Sequence, residues 1–196
     1  MIVLGLTSSI GMGKSTAARM LRQMGCGIYD SDLGVHKAIS PTGKAFEAVT
    51  LTFPDCWDKR GHVINRQILG DIVFKDLEAR QKLEAILHPI IEREQHAYIK
   101  QQTLLGRDFV VLDIPLLFET GAQERVDYTL VVTAPDFVQQ QRVMARTNMT
   151  LEKFKAILKT QMPDTQKCAL ADFVIPTGLG MAHSYNILKR ILESLK

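Results

Sequence analysis

Residues Ser8-Ser9-Ile10-Gly11-Met12-Gly13-Lys14-Ser15-Thr16 decide the fold of this chain, because an apolar run, Ile2 to Leu6, leads into them and a helical pattern leaves them. Strand, glycine-rich turn and helix in that order make a P-loop. Successive backbone N–H groups over Gly11, Met12, Gly13, Lys14, Ser15 and Thr16 are expected to cradle the phosphates of ATP. In that arrangement Lys14 reaches the β and γ phosphates, the Ser15 hydroxyl ligates Mg²⁺, and the following helix adds its positive dipole end. The pattern Gly-x-x-x-x-Gly-Lys-[Ser/Thr] departs at its first glycine, where Ser8 stands. The competing reading is a glycine-rich turn with an exposed lysine.

Outward from this stretch, the chain fits one soluble enzyme domain of 196 residues with room for a small inserted lobe. A hydrophobic content of 46% and a charged content of 23% are ordinary globular values. The net charge of +3 agrees with anionic ligands, but no basic run or aromatic-interleaved patch points to nucleic acid. Cys26, Cys56 and Cys168 lack metal-ligand spacing and read as free thiols. No stretch approaches membrane-spanning length and the start lacks the pattern of a signal peptide, so the expected compartment is the cytoplasm.

Periodicity predicts a helix over Lys14 to Met24 ended by Gly25, then a strand at Gly27 to Asp30. From Ser31 to about Gly106 helical stretches follow one another without a convincing strand. Asn65 is the expected N-cap of Arg66 to Phe74 and Asp76 that of Leu77 to Leu87, with a break at His88-Pro89. Buried parallel strands are predicted at Phe109 to Leu112, Tyr128 to Thr133 and Asp172 to Ile175. Helices follow at Asp136 to Arg146, Leu151 to Met162 and His183 to Leu195. Strands alternating with helices imply an α/β fold with a parallel sheet covered on both faces, binding ligands beyond the carboxyl ends of its strands.

Three motifs fall at such ends. Asp30-Ser31-Asp32 follows the second strand, where a carboxylate can position and deprotonate an attacking hydroxyl. Asp32 is the candidate base, and Asp30 suits a capping or supporting role. Asp113 follows an apolar strand, the place where P-loop proteins put the acid that holds Mg²⁺, directly or through water. Pro115-Leu116-Leu117-Phe118 is either core packing or one wall of a substrate pocket, with Glu119 at its edge. Arg142 and Arg146, four apart, either close over the ATP phosphates as a lid or form a solvated basic face. His88 reads on its own as a helix-ending core histidine.

Taken together, Gly5-Leu6-Thr7, Ile10-Gly11-x-Gly13-Lys14-Ser15-Thr16, Asp30-x-Asp32, Leu87-His88-Pro89, Asp113-x-Pro115-Leu116-Leu117-Phe118-Glu119, Gln161-Met162-Pro163, Lys167 and Ala171-Asp172-x-Val174-Ile175 resemble the dephospho-CoA kinase family. The resemblance runs in order along almost the whole chain. It implies a P-loop kinase-like three-layer fold: a nucleotide-binding core over about 1–30 and 107–196, a helical substrate lobe inserted over about 31–106, and a helical lid over about 142–163. The implied reaction moves the ATP γ phosphate to the ribose 3′-hydroxyl of dephospho-CoA, giving coenzyme A, with Mg²⁺. Lys14, Asp32 and Arg142 would be catalytic. His88, Pro115, Leu116, Phe118 and Glu119 would join Asp32 in binding substrate, and Ser15 and Asp113 would serve the metal. The chain departs from the family at Ser8 and Ser9, at His36, at Ile157, and at Pro176-Thr177, which replaces an Asp-Asn near the adenine. The two readings left beside this one are another small-molecule or nucleoside monophosphate kinase and a non-catalytic ATP-binding switch.

Overall fold

The computed structural model describes residues 1–196, which divide into two compact units, one of residues 1–29 with 101–196 and one of residues 30–100. The first unit is built on a five-stranded sheet of β1 (Ile2–Ser8), β2 (Gly27–Asp30), β5 (Phe109–Asp113), β6 (Tyr128–Thr133) and β7 (Phe173–Pro176), in the order β2-β5-β1-β6-β7. Central β1 pairs in parallel with β5 and β6, and β6 in parallel with β7. Because the strands on the two sides of β1 come from later in the chain, the sheet reverses its winding at β1. A crevice therefore opens beyond the carboxyl end of that strand, which is where the P-loop begins.

One face of the sheet, through Leu4, Leu6, Val111, Leu130, Val132 and Ile175, meets apolar residues of α1 (Lys14–Gln23) and α9 (Met181–Ser194). Val110, Leu112 and Val131, on the alternate positions, are also buried. Burial on both faces is what makes these strands continuous apolar runs rather than alternating ones. Gly5 serves that packing directly, since a Cβ there would lie 3.0 Å from the Leu117 side chain. The unit also holds α6 (Asp136–Met144), α7 (Leu151–Thr160) and α8 (Asp164–Leu170). No helix was expected where α8 lies.

The second unit carries α2 (Ser31–Ala38), α3 (Phe46–Thr52), α4 (Arg66–Lys75) and all but the last turn of α5 (Leu77–Leu104). Contrary to the sequence expectation, it also contains a small antiparallel hairpin, β3 (Trp57–Asp58) against β4 (Val63–Ile64). Two-residue strands are too short to show a period. The turn is held instead by Asp58, whose carboxylate accepts from the N–H of Arg60 at 3.0 Å and of Gly61 at 3.2 Å. The predicted caps are in place: Asn65 accepts from Gln67 and Ile68, and Asp76 from Glu78 and Ala79.

The break expected at His88-Pro89 does not occur, and α5 runs through Pro89 for 28 residues. One missing N–H removes one bond, whereas Leu87, Ile90 and Ile91 on either side of it are buried. The helix also outlasts its unit. Its final turn belongs to the sheet unit, where Gln102 lies against Gly27 and Thr103 meets Met1, so the division falls at 100 rather than near 106.

Candidate active site

The loop between β1 and α1 turns through Gly11 at φ 79° and Gly13 at φ 103°, a region that disfavours side chains. A Cβ on Gly11 would also stand 2.4 Å from Val143 Cγ2. Ser8 and Ser9 have no such backbone requirement and are buried, with Ser8 Oγ donating to the Ser9 carbonyl at 2.9 Å. Gly13 caps α1, whose first turn contains no acidic residue to compete with an incoming anion.

Four side chains hold the loop from outside. The Ile10 N–H donates to Gln161 Oε1 at 3.0 Å, and the Ile10 carbonyl accepts from Gln139 Nε2 at 2.8 Å. The Met12 carbonyl accepts from Thr177 Oγ1 at 2.6 Å and from Arg142 Nη1 at 3.3 Å. Arg142 also donates to Thr177 Oγ1 and to the Thr177 carbonyl, both at 2.9 Å. It therefore stands on α6 and braces the phosphate loop against the segment after β7. Arg146 does not share its helical face as expected, because α6 ends at Met144, and it is exposed.

Lys14 Nζ is ion-paired with Asp113 Oδ1. The register of β1 and β5, with Leu6 opposite Asp113, brings that carboxylate beside the loop. Ser15 is exposed at the start of α1, and no cluster of three His, Cys, Asp or Glu side chains exists. One carboxylate and one hydroxyl suit Mg²⁺, a hard cation that keeps water and takes phosphate oxygens as most of its ligands.

After β5 the chain makes a compact turn. Leu117 is fully buried, while Pro115, Leu116 and Phe118 are partly exposed, so the segment supplies both core and surface. The Pro115 carbonyl accepts from Thr7 Oγ1 at 2.9 Å and from Lys167 Nζ at 3.3 Å. Glu119 Oε1 pairs with Lys167 Nζ at 2.8 Å and accepts the Met162 N–H at 2.8 Å. That carboxylate is thus engaged with the chain at the exit of α7.

In the 30–100 unit the two aspartates separate by role. Asp30 caps α2, accepting from the Leu33 N–H at 2.9 Å. Asp32, in the first turn of α2, is exposed and makes no hydrogen bond to the chain. α5 packs on the start of that helix through Gln95 Nε2, which donates to Ser31 Oγ at 3.2 Å. His88, two turns earlier on α5, is exposed, which sets aside its reading as a core histidine.

The description "Dephospho-CoA kinase" belongs to a family model that matches residues 2–181. The chain belongs to the dephospho-CoA kinase family. The dephospho-CoA kinase of Novosphingobium aromaticivorans is 44% identical over 194 residues, which cover 99% of this chain and 94% of that protein. Among solved structures, a Thermus thermophilus protein superposes with a TM-score of 0.87 at 33% identity, covering 100% of this chain and 98% of its own. The dephospho-CoA kinase from Campylobacter jejuni does so with a TM-score of 0.70 at 29% identity, covering 98% and 96%. Membership makes the chain a P-loop kinase that uses ATP to phosphorylate dephospho-CoA in coenzyme A synthesis.

Within this kinase, Gln139, Gln161, Thr177 and Lys167 have structural roles that sequence reasoning did not assign. Gln161 and Lys167 stood in the segments that carry the family resemblance, but nothing in the sequence tells what they touch. Thr177, just after β7, secures the P-loop through the Met12 carbonyl.

Proposed function

We propose that the chain transfers the γ phosphate of ATP to the ribose 3′-hydroxyl of dephospho-CoA through the following division of labour. The N–H groups of Gly11 to Thr16 receive the β and γ phosphates, and Lys14 exchanges its bond to Asp113 for a bond to phosphate oxygen. Arg142 keeps the loop in its nest-like shape and sets positive charge beside Gly13, where its Nη1 would lie 3.5 Å from an added Cβ. Arg146, exposed after α6, extends that charge over the nucleotide. Mg²⁺ held by Ser15 and Asp113, directly or through water, neutralises charge on the triphosphate when bound.

On the acceptor side, Asp32 accepts the proton of the attacking hydroxyl, a role that suits a carboxylate with no bond to the chain. His88 contacts the acceptor from α5, and Pro115, Leu116 and Phe118 offer it apolar surface. Glu119 acts through Met162 and Lys167. The three free cysteines suit a reducing cytoplasm, and no helix is long and apolar enough to cross a membrane.

The observation that carries this reading is the family match over residues 2–181. Its test is incubation with ATP, Mg²⁺ and dephospho-CoA, followed by mass spectrometry of the acceptor. Coenzyme A formed only with all three components, and not by Lys14→Ala, is the expected result. Folded protein that phosphorylates only a nucleoside monophosphate, or that binds ATP and transfers nothing, would return the assignment to the other kinase or switch.

A further inference from the structure

Lys167 is the largest fully buried side chain of the molecule, with 0% exposure, and it carries a charge. A buried ammonium is costly unless it is paired and its remaining protons are bonded. Here it has Glu119 at 2.8 Å and the Pro115 carbonyl at 3.3 Å. Neither contact touches the phosphate loop, but each leads to the site by a short path. Pro115 is two residues from Asp113, and its carbonyl is also bound by Thr7 of β1. Glu119 holds the Met162 N–H, and the neighbouring Gln161 side chain holds the Ile10 N–H of the P-loop. Through this ammonium and the Glu119 carboxylate it holds, the loop after β5, the exit of α7 and the middle of α8 are tied together.

We propose that Lys167 is a positioning residue, which through Glu119 and the Pro115 carbonyl fixes the Asp113 loop and the Gln161-Met162 segment in register with the phosphate loop. In this role it touches neither ATP nor metal. It limits the orientations of the Ile10 peptide and of the chain beyond Asp113, so that the phosphate cradle exists before nucleotide arrives. This inference rests on the kinase reading of the site. Lys167 lies three residues after Asp164, whose carboxylate accepts from Thr133 Oγ1 at 2.5 Å at the end of β6, so α8 itself is anchored to the sheet near the same place.

An ion pair that satisfies a buried ammonium can also be merely structural, and the experiment separates the two roles. Glu119→Gln alone leaves the buried Lys167 ammonium without its charged partner and is expected to fold poorly. The double variant Lys167→Met with Glu119→Gln removes both charges while leaving an acceptor for the Met162 N–H. Its urea midpoint is expected to recover most of the loss. Positioning predicts that, despite this recovery, the amides of Ile10 and Met162 exchange with deuterium about tenfold faster than in the wild type, and that kcat/KM for ATP falls about tenfold, the size seen when groups supporting a site are removed. Wild-type exchange and kinetics in the stable double variant would overturn the proposal. Failure of the double variant to fold would also overturn it, by assigning Lys167 to folding alone. The exchange measurement needs no turnover, so it decides the matter even if the acceptor proves to be another compound.

Discussion

At the scale of single residues, Gly11 shows how narrowly the phosphate loop is specified. Alanine there would meet both an unfavourable φ and the Val143 side chain at 2.4 Å. Gly11→Ala is therefore expected to cost about 1–3 kcal/mol and to abolish ATP binding, measured by urea unfolding and by calorimetric titration. Normal affinity in the variant would mean that the loop rearranges freely. Cys26 offers a different residue-level test. Burial beside α1 pushes its thiol up from an ordinary 9.0 to about 11, an effect only partly offset by the nearby charges of Arg107 and Lys196. The folded thiol therefore keeps its proton between these values while the unfolded one loses it. Linkage then makes stability fall as pH rises from about 9 to about 11. The fall in urea midpoint over that window should be smaller in Cys26→Ala than in the wild type, once each is referred to its own midpoint at pH 8.

Elements differ in how openly the sequence declares them. β5 and β6 are legible because burial on both faces forces unbroken apolar runs, and the caps Asn65 and Asp76 are legible because a side-chain oxygen before a helix has one main use. The hairpin Trp57–Ile64 is not legible, since its strands are shorter than a period. The P-loop could be read down to its lysine, but its bracing could not. Gln139, Gln161 and Thr177 reach it from 129, 151 and 165 residues away in sequence, and no local pattern encodes such contacts. Pro89 is the instructive failure, because a local rule that ends most helices was outweighed by apolar packing on both sides of it. That balance can be measured. Pro89→Ala restores a backbone donor to an exposed position of α5 and is expected to raise stability, by up to ~3 kcal/mol. The urea midpoint should rise. A fall would show that the helix is shaped around the ring, and the adjoining His88 would then be held by that shape.

For the whole molecule, Lys14 and Asp113, assigned to the nucleotide, lie in one unit, and Asp32 and His88, assigned to the acceptor, lie in the other. Ligand-linked stability can therefore be dissected by substitution. A ligand that binds only the folded state stabilises it by about 2.7 kcal/mol at one hundred times its Kd, enough to move a thermal transition by roughly 5–10 °C in a chain of this size. ATP with Mg²⁺ should raise the Tm of the wild type, and Lys14→Ala should abolish that rise. Asp32→Asn should behave in the opposite sense. Asp32 is exposed and bonded to nothing in the chain, so the variant should melt where the wild type does and keep the full ATP-dependent shift. Its loss should appear only in turnover, by about 10²-fold or more if the carboxylate takes the proton in the transition state. An Asp32→Asn protein that is unstable, or that no longer responds to ATP, would place Asp32 in folding or nucleotide binding. One that turns over normally would remove it from the chemistry, leaving positioning and phosphate charge neutralisation to carry the reaction without a base.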